Sequence, residues 1–148
     1  IRAVVFDKDN TLTAPYGSEI HASAKEGLAR CLEEFGAENV VLMSNSAGTL
    51  DDRNFAEAKH IERTLGIPVL RHREKKPKGF VELMEHFPDK ALVQPESMCV
   101  VGDRILTDVL FGSMYGILTV HVKEPLGLKV LAPLHSFLFF SFSGFLAL

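Results

Sequence analysis

The sequence predicts an α/β fold: a central parallel five-stranded sheet with a layer of helices on each face. Three observations predict it. Short apolar runs alternate along the chain with longer stretches whose apolar residues recur at helical spacing. The short runs are apolar throughout, as strands are when both faces of a sheet are covered. Three of them end abruptly in polar residues, and in sheets of this kind ligands bind at the carboxyl ends of the strands.

The elements follow in order. Ala3–Phe6 is an apolar run that stops at Asp7, a buried strand with acid at its carboxyl end. Ala24, Leu28, Cys31, Leu32 and Phe35 make a helical stripe, and Gly36 is placed to end it. Val40–Met43 is the second strand and leads into Ser44-Asn45-Ser46. Phe55, Ala58, Ile61 and Leu65 form the next helix, closed by Gly66. Pro68–Leu70 is a short third strand. Phe80, Leu83, Met84 and Phe87 form a third helical stripe, stopped by Pro88. Met98–Val101 is the fourth strand and runs into Gly102-Asp103. Val109, Leu110 and Met114 mark a short helix closed by Gly116, and Ile117–Val122 is the last strand.

At 148 residues the chain has the length of one ordinary domain with a single real core. Its 47% apolar and 24% charged residues are those of a globular protein. A net charge of −3 argues against a protein built to wrap nucleic acid. Cys31 falls in a helical pattern and Cys99 in a strand, so both read as small core residues and no disulfide is expected. The chain opens at Ile1, already inside a strand-like run, as a fragment or processed form would. From Val130 to Leu148 no acidic residue, lysine or arginine occurs, and five of the eleven phenylalanines lie there. That stretch is long enough to cross a bilayer as a helix, although Pro133, His135, Gly144 and three serines weaken the pattern. The expected organisation is a catalytic domain over residues 1–126 and an apolar tail over residues 127–148.

Asp7-Lys8-Asp9-Asn10-Thr11 sets two carboxylates two residues apart just beyond a buried strand. Phosphoryl transfer to a carboxylate needs an in-line nucleophile, a second acid for the leaving oxygen, and a divalent cation to offset charge. A D-x-D unit can supply the first two. Asp103 and Asp108 follow a later strand and would bring further carboxylates to the same edge for magnesium, a hard cation that prefers oxygen. Ser44 and Asn45, beyond the neighbouring strand, could hydrogen-bond phosphate oxygens. Lys76, just before Pro77 and a helix, can supply the missing positive charge.

Four strings in this order resemble the four motifs of the haloacid-dehalogenase-type phosphatase superfamily: D-K-D-N-T, M-S-N-S-A-G, K-K-P-K-G and V-G-D-R-I-L-T-D. Within it, F-D-K-D-N-T-L-T, S-N-S-A-G, G-I-P-V-L-R-H-R-E-K-K-P and G-D-R-I-L-T-D are most similar to the phosphatidylglycerophosphate phosphatases, a capless branch found in bacteria, mitochondria and plastids. The similarity runs from about residue 1 to residue 126, and the tail departs from it. The resemblance implies a Rossmann-like three-layer domain without a large cap. It also implies a phosphatase of phosphatidylglycerol and cardiolipin synthesis, acting with Mg²⁺ on a phospholipid at a membrane surface in a mitochondrion or plastid. Under it Asp7 is the nucleophile and a metal ligand. Asp9 is general acid and then base, and its backbone carbonyl is a further ligand. Ser44 and Lys76 hold the phosphoryl group, Asp103 ligates the metal, and Asp108 ligates it or orients a ligand. Lys76 is preferred to Lys75 and Lys78 because it directly precedes Pro77.

A lone D-x-D is common on surface loops; its specificity comes from Ser44, Lys76 and Asp103 following in order. Asp108 could instead simply favour the first turn of a helix. The cluster Arg71-His72-Arg73 with Lys75, Lys76 and Lys78 reads equally as a solvated loop or as an attractor of anionic substrate or membrane. His72 reads as a loop residue, since no second His or Cys lies nearby at ligand spacing. Neither glycine string of a nucleotide-binding loop occurs. Two other functions use similar parts. One is a phosphatase of the same fold acting on a soluble phosphomonoester. The other is a phospho-accepting signalling domain of the response-regulator type, whose acceptor aspartate ends a middle strand, where this chain has Ser44.

Overall fold

A computed structural model describes residues 1–123. Four parallel strands form one sheet in the order β2-β1-β3-β4, with β1 at Ala3–Phe6, β2 at Val40–Leu42, β3 at Met98–Gly102 and β4 at Leu118–His121. Helix α1 (Ala22–Phe35) joins β1 to β2, and α2 (Ala56–Leu65) and α3 (Phe80–His86) lie between β2 and β3. A π-helical turn, Ile105–Val109, then runs straight into α4 (Leu110–Tyr115).

The expected strand at Pro68–Leu70 is reduced to a single bridge between Leu42 and Val69. Leu42 donates to the Pro68 carbonyl at 2.9 Å and Leu70 donates back to Leu42 at 2.8 Å. Pro68 has no N–H to extend the ladder, so four strands form where five are expected.

Every side chain of β1 is buried, which requires cover on both faces. Alternation sends Ala3 and Val5 to one face and Val4 and Phe6 to the other. On the first face they join Val41, Met43 and Val100 against Leu83 of α3 and Phe111 of α4. On the second they join Val40 and Leu42 against Leu28 of α1 and Ala58, Ile61 and Leu65 of α2. Each fully buried aliphatic or phenyl side chain contributes about 1.5–3 kcal/mol. Gly66, with φ of +70°, ends α2 in the left-handed conformation that glycine adopts without strain.

The short helix expected around Val109, Leu110 and Met114 forms as α4, and its inward face is not the one those residues occupy. Leu110 and Met114 are exposed, and Phe111 and Gly112 face the sheet. A Cβ on Gly112 would overlap the Thr119 hydroxyl of β4, so the glycine side is the one that can approach closely. Tyr115 seals this contact, stacking on Phe80 at 4.3 Å and meeting Phe111 edge-on at 5.1 Å. Among the described residues no helix is long and apolar enough to cross a membrane. The apolar tail at residues 127–148 lies outside the described residues.

Candidate active site

The loops that follow β1, β2 and β3 meet at the carboxyl edge of the sheet. Asp7 is the first residue beyond β1, and its N–H donates to the Val101 carbonyl at 2.8 Å, fixing it beside β3. Burial holds the Asp7 carboxyl above its ordinary range; Lys76 pulls it down, while Asp108 and Asp103 push it up. Asp103 follows the last residue of β3. Asp108 is buried inside the π-helical turn, where its carboxylate accepts the Arg104 N–H at 3.1 Å. A Cβ on Gly102 would occupy the place of that carboxylate, so glycine at the end of β3 makes room for Asp108. Asp108 does stand in the first turn of a helical segment, and from there its carboxylate also faces Asp7 and Asp103.

One carboxylate oxygen from each of Asp7, Asp103 and Asp108 lies within 4.8 Å of the other two. The buried Lys76 ammonium stands among them, 2.7 Å from Asp7 and 2.5 Å from Asp108. Three carboxylates against one ammonium leave a formal excess of two negative charges. The buried Oδ1 of Asp103 has no hydrogen-bond partner. An all-oxygen set with surplus negative charge and an unsatisfied buried carboxylate oxygen fits a hard divalent cation.

Asp9 stands outside that group by its side chain. Its Oδ1 accepts the Lys8 ammonium at 2.6 Å and the Tyr16 N–H at 2.9 Å. The loop that holds it is tightly closed: Leu12 and Thr13 both donate to the Lys8 carbonyl, and His21 at the start of α1 donates to Leu12. So short a connection leaves no room for a folded cap.

Ser44 and Lys76 are both buried, and a pair of side chains ties their segments together. Asn45 accepts the Lys76 N–H at 2.7 Å and donates to the Lys76 carbonyl at 3.3 Å, so its amide is spent on positioning the lysine. His72 lies with Nε2 at 2.9 Å from the Ser44 carbonyl and Nδ1 at 2.6 Å from the Glu74 carbonyl. Both partners are acceptors, so a neutral ring donates to one at a time. The basic cluster is largely paired: Arg71 with Glu62, Lys75 with Asp51 and Lys78 with Glu74.

Residue types alone did not single out Lys8 or Asn10, and they gave no sign of the contacts made by His72 or of the space that Gly102 leaves for Asp108. Asn10 donates to Asp103 at 3.2 Å from a backbone with φ of +61°, a conformation asparagine tolerates better than most residues. The one available signal was its place inside D-K-D-N-T.

Comparison with known proteins gives the family. A phosphatidylglycerophosphate phosphatase 1 described as chloroplastic, from Chlamydomonas reinhardtii, is 44% identical over 144 residues, which is 92% of this chain and 52% of that protein. A mitochondrial phosphatidylglycerophosphatase of Saccharomyces cerevisiae is 35% identical over 149 residues, 98% of this chain and 80% of the yeast protein. The chain thus spans about half the length of the algal relative. A crystal structure of an uncharacterized Listeria monocytogenes protein superposes with a TM-score of 0.60 at 16% identity, covering 92% of this chain and 87% of that one, a likeness of fold alone. Residues 1–127 match the family described as Mitochondrial PGP phosphatase, and the chain belongs to that family.

Proposed function

We propose that this chain is a magnesium-dependent phosphatase that hydrolyses phosphatidylglycerophosphate to phosphatidylglycerol through an aspartyl-phosphate on Asp7. The observation that carries the reading is the buried Lys76 ammonium held between Asp7 and Asp108 within a group of three carboxylates. Asp7, Asp103 and Asp108, with the Asp9 backbone carbonyl, would hold the magnesium ion, which when bound offsets the charge on the phosphoryl oxygens.

The Asp7 carboxylate attacks phosphorus, forming the acyl-phosphate bond as the bond to the glycerol oxygen breaks. Asp9, whose carboxyl is partly exposed, gives that leaving oxygen a proton. Water then attacks phosphorus, Asp9 takes its proton back, and inorganic phosphate leaves with Asp7 restored. Ser44 and Lys76 hold the phosphoryl oxygens throughout. The names of the relatives support phosphatidylglycerophosphate as the substrate and a mitochondrial or plastid location.

The test is phosphate release from phosphatidylglycerophosphate in mixed micelles and from soluble phosphomonoesters, with a chelator and after Mg²⁺ is restored. Lipid hydrolysis that needs Mg²⁺ is expected, and Asp7→Asn should abolish it while the fold survives. Hydrolysis confined to soluble esters would overturn the substrate, and a chelator-resistant rate the metal. An Asp7→Asn variant that keeps more than a trace of activity would overturn the nucleophile.

A further inference from the structure

We propose that the carboxyl edge is also the membrane-contact face, and that the tips of the loops around the site enter the headgroup boundary of an anionic phospholipid bilayer. The inference rests on the lipid-substrate reading and adds the surface by which the lipid is reached.

Scattered exposed apolar residues are ordinary on proteins; their placement here is not. The five most exposed large apolar side chains among the described residues are Tyr16 at 97%, Leu106 at 77%, Leu50 at 72%, Val81 at 65% and Ile105 at 61%. All five lie on the edge that carries the site. Tyr16 is in the loop after β1, Leu50 in the loop after β2, and Ile105 and Leu106 in the turn after β3. Val81 is in the first turn of α3, which starts just beyond Lys76.

These residues are carried by four separate segments, beyond β1, beyond β2, beyond β3 and at the start of α3, with the polar site residues on the same loops. A protein partner is met by a packed apolar centre with a polar rim. A bilayer accepts separate tips independently while their polar surroundings stay among the headgroups. Charge agrees with lipid as the occupant. Arg53, Arg73 and Arg104 are exposed on the same loops, and none has an ion-pair partner among the described residues. Arg104 directly precedes Ile105-Leu106, so a cation for lipid phosphate sits beside two apolar tips. Seated this way, the edge would meet a headgroup phosphate without extracting the lipid from its leaflet.

The chain contains no tryptophan, so a single introduced indole reports alone. Leu50→Trp and Leu106→Trp place it on the proposed face. Leu92→Trp is the control: Leu92 is 59% exposed and lines a groove with Ile1 and Arg2 at the other end of β1. Each full-length variant is mixed with phosphatidylcholine–phosphatidylglycerol vesicles whose acyl chains are brominated. Quenching at positions 50 and 106 without quenching at 92 is expected. No quenching at 50 and 106, or equal quenching at 92, would overturn the proposal, even if the tail brings the chain to the vesicle. The double variant Leu50→Ser/Leu106→Ser should lose about tenfold in kcat/KM on bilayer-held lipid and nothing on a soluble phosphomonoester. An unchanged rate on bilayer lipid would also count against the surface. Quenching is read without turnover, so a wild-type chain that binds through these loops yet leaves the lipid intact would refute the proposed substrate and not the contact face.

Discussion

Two loops at the carboxyl edge each bury a lysine, and they use it differently. Lys8 is enclosed by its own loop, 2.6 Å from Asp9, 3.0 Å from the Gly17 carbonyl and 3.3 Å from the Thr13 hydroxyl. One charge meets one charge, and neutral oxygens take the remaining protons. Lys76 instead joins distant segments, reaching Asp7 after β1 and Asp108 after β3, and the acids around it outnumber it. Burial alone therefore does not separate the two lysines. The charge balance of their surroundings does: a neutral cradle braces a loop, whereas a surplus of carboxylate leaves room for a cation, as the proposed function requires.

Replacing each lysine by methionine breaks the comparison most sharply. Lys76→Met should lower kcat by about 10²–10³-fold, the loss typical of removing one donor to transition-state charge. Divalent-ion affinity should move the opposite way and tighten, because a competing cation has left the carboxylates. Steady-state kinetics and calorimetric titration with Mg²⁺ read the two effects separately. Weaker ion binding in this variant would show that Lys76 supports the ion site and does not compete with it.

Lys8→Met should be read mainly in stability. The Asp9 carboxyl is partly exposed and can rehydrate when its partner is lost, so the expected cost is about 1–3 kcal/mol in denaturant unfolding. Turnover should fall less than in Lys76→Met, and Mg²⁺ affinity should stay unchanged. A shift in ion affinity as large as that of the Lys76 variant would erase the distinction between the two cradles.

What the sequence displays and what it hides divide along the same line. Apolar runs bounded by polar residues gave the strands, because burial on both faces leaves a continuous signature. The strand at Pro68–Leu70 was overcounted, since hydropathy does not register that Pro68 lacks a ladder donor. The apolar residues that mark α4 do not show its inward face, because close approach at Gly112 outweighs the larger apolar surface of Leu110 and Met114. Asp7 and Asp103 were legible through residue type at strand ends, and Lys76 through the resemblance, which picks out the lysine directly before Pro77. The supports were not: Asn45 closing on the Lys76 backbone and His72 bridging two carbonyls depend on loop paths that no local pattern encodes.

Asp52 sharpens the comparison from the acidic side and carries the smallest expected effect. It is a buried charge satisfied by backbone N–H groups, where each lysine has a carboxylate. Its carboxylate accepts from Gly48, Glu57 and Ala58, each at 2.9 Å, and so caps α2 across the irregular turn at Asn54 and Phe55. Burial pushes the Asp52 carboxyl up, but the three N–H groups and the Arg71 guanidinium more than offset this, and the net position is below the ordinary range. With the folded value lowered, the stabilisation is complete above about pH 4 and fades as pH falls through the folded value. Asp52→Asn removes the charge and one acceptor oxygen, so it should cost about 1 kcal/mol at neutral pH, the usual worth of a cap. The gap between wild type and variant, measured by urea unfolding, should narrow as the solution is acidified below about pH 4. A gap of constant size across that range would mean that the amide fails for steric reasons and that the charge of Asp52 contributes nothing to the cap.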